Sequence, residues 1–168
     1  MVEVFDLVDK NDNVIGIADR DEVHGNPDMI HRVAHVLVFN SAGELYLQKR
    51  SADKMVQPGK WDTSVGGHVD AGETYDSAAV RETAEELGIS TAIASFDFLY
   101  KYLHRNDFES EWVTTYRIVW DGSLKIQESE IDDGRFWSLE EIESSDKSIF
   151  TPNFLDELGR YRGFTQAL

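Results

Sequence analysis

Three glutamates, Glu82, Glu85 and Glu86, occur at i, i+3 and i+4 in the run Arg81-Glu82-Thr83-Ala84-Glu85-Glu86-Leu87-Gly88-Ile89. On a helix that spacing brings their side chains onto one face. Like charges so placed repel by a few tenths of a kcal/mol per pair, roughly, and a bound cation offsets the repulsion. Hard oxygen donors suit Mg²⁺ or Mn²⁺, and Mg²⁺ typically sits between one or two carboxylates and a phosphate of a substrate. The chemistry implied is metal-assisted reaction at a phosphoryl group. A solvated acidic helix is the bland alternative. Two features argue against it. Val80, Thr83, Ala84 and Leu87 form a small or apolar opposite face that would anchor the helix. The preceding stretch, Gly66-Gly67-His68-Val69-Asp70-Ala71-Gly72-Glu73, has the glycines that let backbone approach a ligand.

The elements that must position these groups can be read from the pattern. Val2 to Val8 alternates as a strand, and Val14 to Ala18 is a second, so the chain opens with a hairpin over 1–18. Asp19 to Asn26 reads as short, polar and helical. Arg32 to Asn40 is nearly continuous apolar and β-branched, as a central strand is. Ser41-Ala42-Gly43 turns it into an alternating strand, Glu44 to Arg50, whose end leads Lys49 and Arg50 toward the acidic helix. Arg50 is therefore the candidate cation for an anionic substrate. Trp61 to Val65 reads as a short strand running into a glycine loop. The acidic helix spans about Thr74 to Leu87 and stops at Gly88.

Beyond it, Ala92 to Leu103 and Glu111 to Trp120 read as long strands, and Phe136-Trp137 as a short one. Ser138 opens a helix with Glu141 three residues on. Thr151-Pro152 opens the last helix. The fold class expected is mixed α/β, a curved mixed sheet between helices, forming a single domain over 1–168.

Composition bounds the function. A length of 168 residues with 41% hydrophobic and 11% aromatic side chains supports a packed core. Sixteen Lys and Arg against 32 Asp and Glu give a net charge of −16, which disfavours nucleic acid and anionic membrane as partners. With no cysteine, disulfides, zinc-thiolate sites and cysteine nucleophiles are excluded. The acidic start and the lack of an apolar run of about twenty residues lead to the expectation of a cytoplasmic protein.

The signature as a whole resembles that of the Nudix hydrolase family: a glycine (Gly67), five residues, a glutamate (Glu73), seven residues, then Arg81-Glu82, Glu85-Glu86 and Gly88-Ile89. Thr83 stands where the family prefers an aliphatic residue. The resemblance implies an αβα sandwich and hydrolysis of a diphosphate linkage in a nucleoside diphosphate derivative or related small-molecule conjugate. It further implies Glu85 and Glu86 as the main metal ligands, Glu82 as ligand or general base, and the Gly66 carbonyl as an additional ligand. Arg81 would pair with Glu73 to hold loop against helix. Some relatives carry the base on a later loop, where Glu130 is the first candidate here and Glu128 the next.

Further runs, His31-Arg32-Val33-Ala34-His35-Val36-Leu37-Val38-Phe39-Asn40, Leu47-Gln48-Lys49-Arg50-Ser51 and Pro58-Gly59-Lys60-Trp61-Asp62, resemble the isopentenyl diphosphate isomerase branch. That enzyme binds a metal through three histidines and two glutamates. His24, His31, His68, Glu109 and Glu111 stand at the matching positions, as a second metal or substrate site or as inherited packing. The isomerase needs a proton-shuttling cysteine where this chain has Gly66, so isomerisation is disfavoured against hydrolysis. A non-catalytic diphosphate-binding module is a third reading. The N-terminal hairpin is a candidate homodimer contact.

Overall fold

The computed structural model describes all of residues 1–168. One strand, β3 (Ile30–Phe39), organises the molecule. It pairs in parallel with β8 (Ser110–Val119) over its whole length and antiparallel with β6 (Val65–His68) along Val33–Val36. Its ends meet β1 (Val4–Val8) and β4 (Leu45–Arg50). The opening hairpin joins β1 to β2 (Val14–Asp19), which passes into the short α1 (Arg20–Val23). β4 also pairs β5 (Trp61–Asp62) and β9 (Ile131–Trp137), and β7 (Asp97–Arg105) pairs β8, completing a nine-stranded mixed sheet.

The apolar continuity of β3 has a plain cause: both of its faces are covered. Ala34, Val36 and Val38 pack with Ala78, Ala79 and Leu87 of α2 (Tyr75–Leu87). Leu37 and Phe39 point the other way, against Ile142 of α3 (Leu139–Ser144) and Phe154 and Leu158 of α4 (Pro152–Gln166). A strand buried on both sides loses the usual polar alternation. Local signals set the helix ends. Thr74 accepts from the Ser77 N–H and Gly88 takes the left-handed conformation at φ 67°. Ser138 caps α3, while Thr151 caps α4 with Pro152 following.

Several boundaries differ from the sequence reading. Gly66, Gly67 and His68 are strand and not loop, because β3 supplies their partners across the sheet. The later loop that carries Glu128 and Glu130 gives way to strand at Ile131, which pairs with β4. The strand read from Ala92 begins only at Asp97, after a short 3₁₀ turn over Ile93–Ser95. On α2, Ala84 is exposed, and Ala78 and Ala79 fill the anchoring face instead. Thr83 is fully buried and returns its hydroxyl to the Ala79 carbonyl at 2.7 Å, so the polar group in the core is satisfied. No helix is long and apolar enough to cross a membrane.

Gly134 of β9 lies against the buried Tyr46 ring of β4, and a Cβ there would fall 1.7 Å from the Tyr46 hydroxyl. Gly134→Ala should therefore overpack this face and cost about 1–3 kcal/mol in chemical denaturation. A change below about 0.5 kcal/mol, the range of ordinary surface substitutions, would show that the strands slide apart freely.

Candidate functional site

Strand β6 carries Gly66 and Gly67 side by side, and the pleat sends them to opposite faces of the sheet. Gly67 faces α2. A Cβ there would lie 2.1 Å from the Glu82 carboxyl carbon, so the missing side chain is what lets that carboxylate settle against the strand. Gly66 faces the other way and is exposed, and its N–H bonds the carboxylate of Glu86. Gln48 of β4 donates to the same carboxylate at 3.0 Å.

Arg81 ties the acidic groups together. Its guanidinium bonds both oxygens of Glu73 at 2.9 Å, the His68 carbonyl at 3.0 Å and Glu82 at 2.6 Å, and reaches Glu85 at 3.5 Å. Glu73 also accepts from the Asp70 N–H at 3.0 Å, which pins the segment between β6 and α2. Burial would raise Glu73, but the Arg81 bonds outweigh it and hold its carboxyl below the usual range. The balance is different beside it. Burial, opposed by Arg81 and helped by Glu85 and Glu73, pushes Glu82 up. Burial and the charge of Glu82 push Glu86 further, to about 8, despite Gln48 and Gly66. Glu85 is more than half exposed and borders a groove of about 700 Å³ with Gly88, Lys125, Gln127 and Glu128. The three carboxylates thus line up from the glycine strand to open solvent, within one another's fields.

Other candidate residues are placed as follows. Arg50 donates to Asp62 at 3.4 Å and to the Val56 carbonyl at 3.1 Å, and its side chain keeps 30% of its exposure. Glu130 is exposed and ion-paired with Lys54. Lys54 itself feels the charge of Glu86, which makes it a cation beside the acidic cluster that the sequence reading passed over. Gln48 and Asp62 were also passed over. Gln48 shares a face of the alternating strand β4 with Arg50, which was the available signal.

A second cluster lies on the Gly66 face of the sheet. His24, His31 and His68 bring ring nitrogens within 4.8 Å of one another, and His31, Glu109 and Glu111 do the same. The His24 and His68 Nε2 atoms are 3.4 Å apart, and Glu111 Oε1 lies 3.3 Å from His31 Nε2 and 3.9 Å from His68 Nε2. Phe5 stacks on the His68 ring at 4.6 Å and on the His31 ring at 5.7 Å. His31 is completely buried, and neither ring nitrogen makes a hydrogen bond of good geometry, although Glu111 Oε1 lies 3.3 Å from Nε2. Burial drives His68 down to about 4 and lowers His24, which keeps both rings neutral at pH 7. Burial and the neighbouring Glu111 push Glu109 up to about 7. For Glu111, burial is outweighed by His31 and His68, and its carboxyl is lowered. Neutral imidazoles facing carboxylates, with unspent lone pairs in the interior, form a donor set of the kind that holds a transition-metal ion.

Comparison with known proteins agrees with this geometry. The NUDIX domain pattern matches residues 29–158. An uncharacterised Nudix hydrolase of Pseudomonas aeruginosa is 36% identical, covering 95% of this chain and 93% of its own. An isopentenyl-diphosphate Delta-isomerase of Photorhabdus laumondii is 35% identical over 83% of this chain and 79% of its own. Among solved structures, DR0079 from Deinococcus radiodurans superposes with a TM-score of 0.77 at 28% identity, covering 95% of this chain and 98% of that one. Members of this family act on small-molecule diphosphates and generally use divalent metals. With the glycine strand, the Arg81–Glu73 clamp and the glutamate helix in place, the chain belongs to the Nudix family and is a Nudix hydrolase.

Proposed function

We propose that this chain hydrolyses the diphosphate linkage of a nucleoside diphosphate derivative or a related conjugate, with Mg²⁺ held by Glu82, Glu85, Glu86 and the Gly66 carbonyl. The observation that carries the proposal is the cluster itself: Glu82, Glu85 and Glu86 stand together on α2 beside Gly66, where burial and the charge of Glu82 raise Glu86 to about 8, a cost that a divalent cation relieves. The donor set is all oxygen, which fits Mg²⁺ or Mn²⁺. Bound there, the ion supplies charge neutralisation for phosphoryl oxygens and acidifies water.

The protein's own groups do the rest. Arg81, locked on Glu73 and the His68 carbonyl, fixes the direction of Glu82. Gln48 and the Gly66 N–H orient Glu86. A carboxylate then takes the proton of the attacking water, a contribution worth about 10²–10⁴-fold. Glu82 is beside the reacting region, whereas Glu130 would first have to leave Lys54. Arg50 and Lys54 are the cations proposed to meet a phosphate.

A cation at the His24, His31, His68, Glu109 and Glu111 cluster belongs to the same proposal, supported by the two unpartnered nitrogens of His31. Isomerisation is the weaker reading, since its thiol position is Gly66 and the chain has no cysteine.

Each part has a direct check. Glu85→Gln and Glu86→Gln should each lower Mg²⁺-dependent phosphate release by about 10²-fold or more while the melting transition stays in place. A native, metal-loaded sample that releases nothing from nucleotides, nucleotide sugars, coenzyme A and other diphosphate conjugates would sink the hydrolase assignment to this site.

The sign of the pH effect follows from Glu86. Below about pH 8 its carboxyl carries a proton that a cation must displace. Calorimetry in buffers of different ionisation enthalpy at pH 7 should therefore show proton release on Mg²⁺ binding. Affinity should strengthen as pH rises toward 8 and level off above it. Binding without proton release, or release unchanged in Glu86→Gln, would place the ion elsewhere.

For the histidine cluster, elemental analysis of the purified protein should show a transition metal that His31→Ala and His68→Asn both remove. Equal metal content in both variants would leave the cluster a packing feature.

A further inference from the structure

The sheet has a long edge that the acidic site does not use. β7 pairs only with β8, and the pairing sets Phe98 beside Tyr116 and Lys101 beside Thr114. The first turn of α2 stands over these four residues with Tyr75 and Asp76, and the six line an open cavity of about 360 Å³. The cavity lies on the far flank of α2 from the metal-binding carboxylates. At 3.6 residues per turn, Asp76 stands about 120° around the helix from Glu82 and about 180° from Glu85.

Packing leaves three features of this cavity unexplained. Thr114 is 3% exposed, yet its hydroxyl has no hydrogen-bond partner. A buried polar group is rarely left so, and a ligand atom in the cavity would satisfy it. Phe98 is 60% exposed, and its ring meets Tyr116 edge to face with centroids 6.2 Å apart. The rim also offers hydrogen-bonding groups of both kinds. Lys101 is a donor, held in place by Asp12 with its ammonium 4.7 Å from the centre of the Tyr75 ring. Asp76 is an acceptor: one carboxylate oxygen takes the Tyr116 hydroxyl at 2.5 Å, and the other makes no hydrogen bond.

These groups select a ligand by charge and shape. Asp12 and Asp76 disfavour an anion, and the ammonium of Lys101 over Tyr75 disfavours a second cation. Aromatic walls favour a flat ring, since stacking needs only a π face. A rim with donor and acceptor reads an edge that carries both, as a nucleobase does. We infer that this cavity is a second ligand site, one that takes a neutral nucleobase or nucleoside. The ring lies against Phe98 and Tyr116, and its edge bonds the Thr114 hydroxyl and the unoccupied Asp76 oxygen. The inference does not rest on the hydrolase reading, because such a ligand carries no phosphate and the cavity contains none of the groups assigned to the ion. An occupant would brace the N-terminal turn of the helix that carries Glu82, Glu85 and Glu86.

The test uses the native full-length chain, nitrogen-15 labelled and kept free of metal with EDTA, titrated with adenosine, guanosine, cytidine and uridine. At least one should saturate below about 1 mM and shift the amides of Tyr75, Asp76 and Thr114, while those of Gly66 and Glu85 stay in place. Phe98→Ala, at an exposed position, should weaken binding about 10-fold or more, the loss of a stacking partner. Thr114→Val keeps the shape and removes the hydroxyl. It should weaken binding about 3- to 10-fold while the melting midpoint stays level or rises, because it deletes an unsatisfied polar group. No saturation by any of the four nucleosides, shifts centred on Gly66 and Glu85 that persist in Phe98→Ala, or unchanged affinity in Thr114→Val would each overturn the inference. A dimer seen by light scattering that Phe98→Ala dissociates would overturn it too, since the exposed ring would then belong to a contact with a second copy.

Discussion

Arg81 binds three carboxylates of the acidic site at once. Glu73, Glu82 and Glu85 all lie within hydrogen-bonding reach of its guanidinium, and the same group holds the carbonyl of His68. Carboxylates at this density repel, and a planar cation with five donors is the residue type that can satisfy several of them while fixing their directions. The clamp also joins the end of β6 to α2, so the electrostatic arrangement and the local fold depend on one set of bonds. Glu86, the carboxylate that Arg81 does not reach, is the one whose pKa rises to about 8.

The pleat of β6 divides the functional surface in two. Gly67 makes room on the α2 face for Glu82, and Gly66 opens the other face to His35. The three-histidine cluster lies on this second face as well, one pleat further along, through His68. Two adjacent residues without side chains thus connect a carboxylate cluster, an imidazole cluster and an imidazole–carboxylate pair, His35 with Glu157. A single Cβ at either position would meet the Glu82 carboxylate or the His35 ring. The core makes this possible by being covered on both faces of β3, which holds the strands rigid beneath groups that repel one another.

Some of this was legible in the chain. Helical spacing put Glu82, Glu85 and Glu86 on one face because a period of 3.6 is a property of the backbone alone. The caps Thr74, Gly88, Ser138 and Thr151 act within four residues of themselves, so they too were readable. The strand character of Gly66–His68 was not, since glycine has no strand preference and the partner that decides it, β3, lies thirty-odd residues away. Arg50 was read as a candidate substrate cation from its position at a strand end, and its contact with Asp62, twelve residues on, was visible only in the folded chain.

The amino-acid order by itself determined the acidic helix, the glycines before it, the absence of thiol chemistry and the family to which these belong, because each depends on residue type and short spacing. Only the tertiary structure decided that Glu157, on the last helix, would be buried against His35, 122 residues earlier, and that His31 would be enclosed with both nitrogens unpartnered. The first depends on how α4 packs across the sheet and the second on Phe5, His24, His68 and Glu111 closing around the ring, long-range contacts for which no segment carries a local signal.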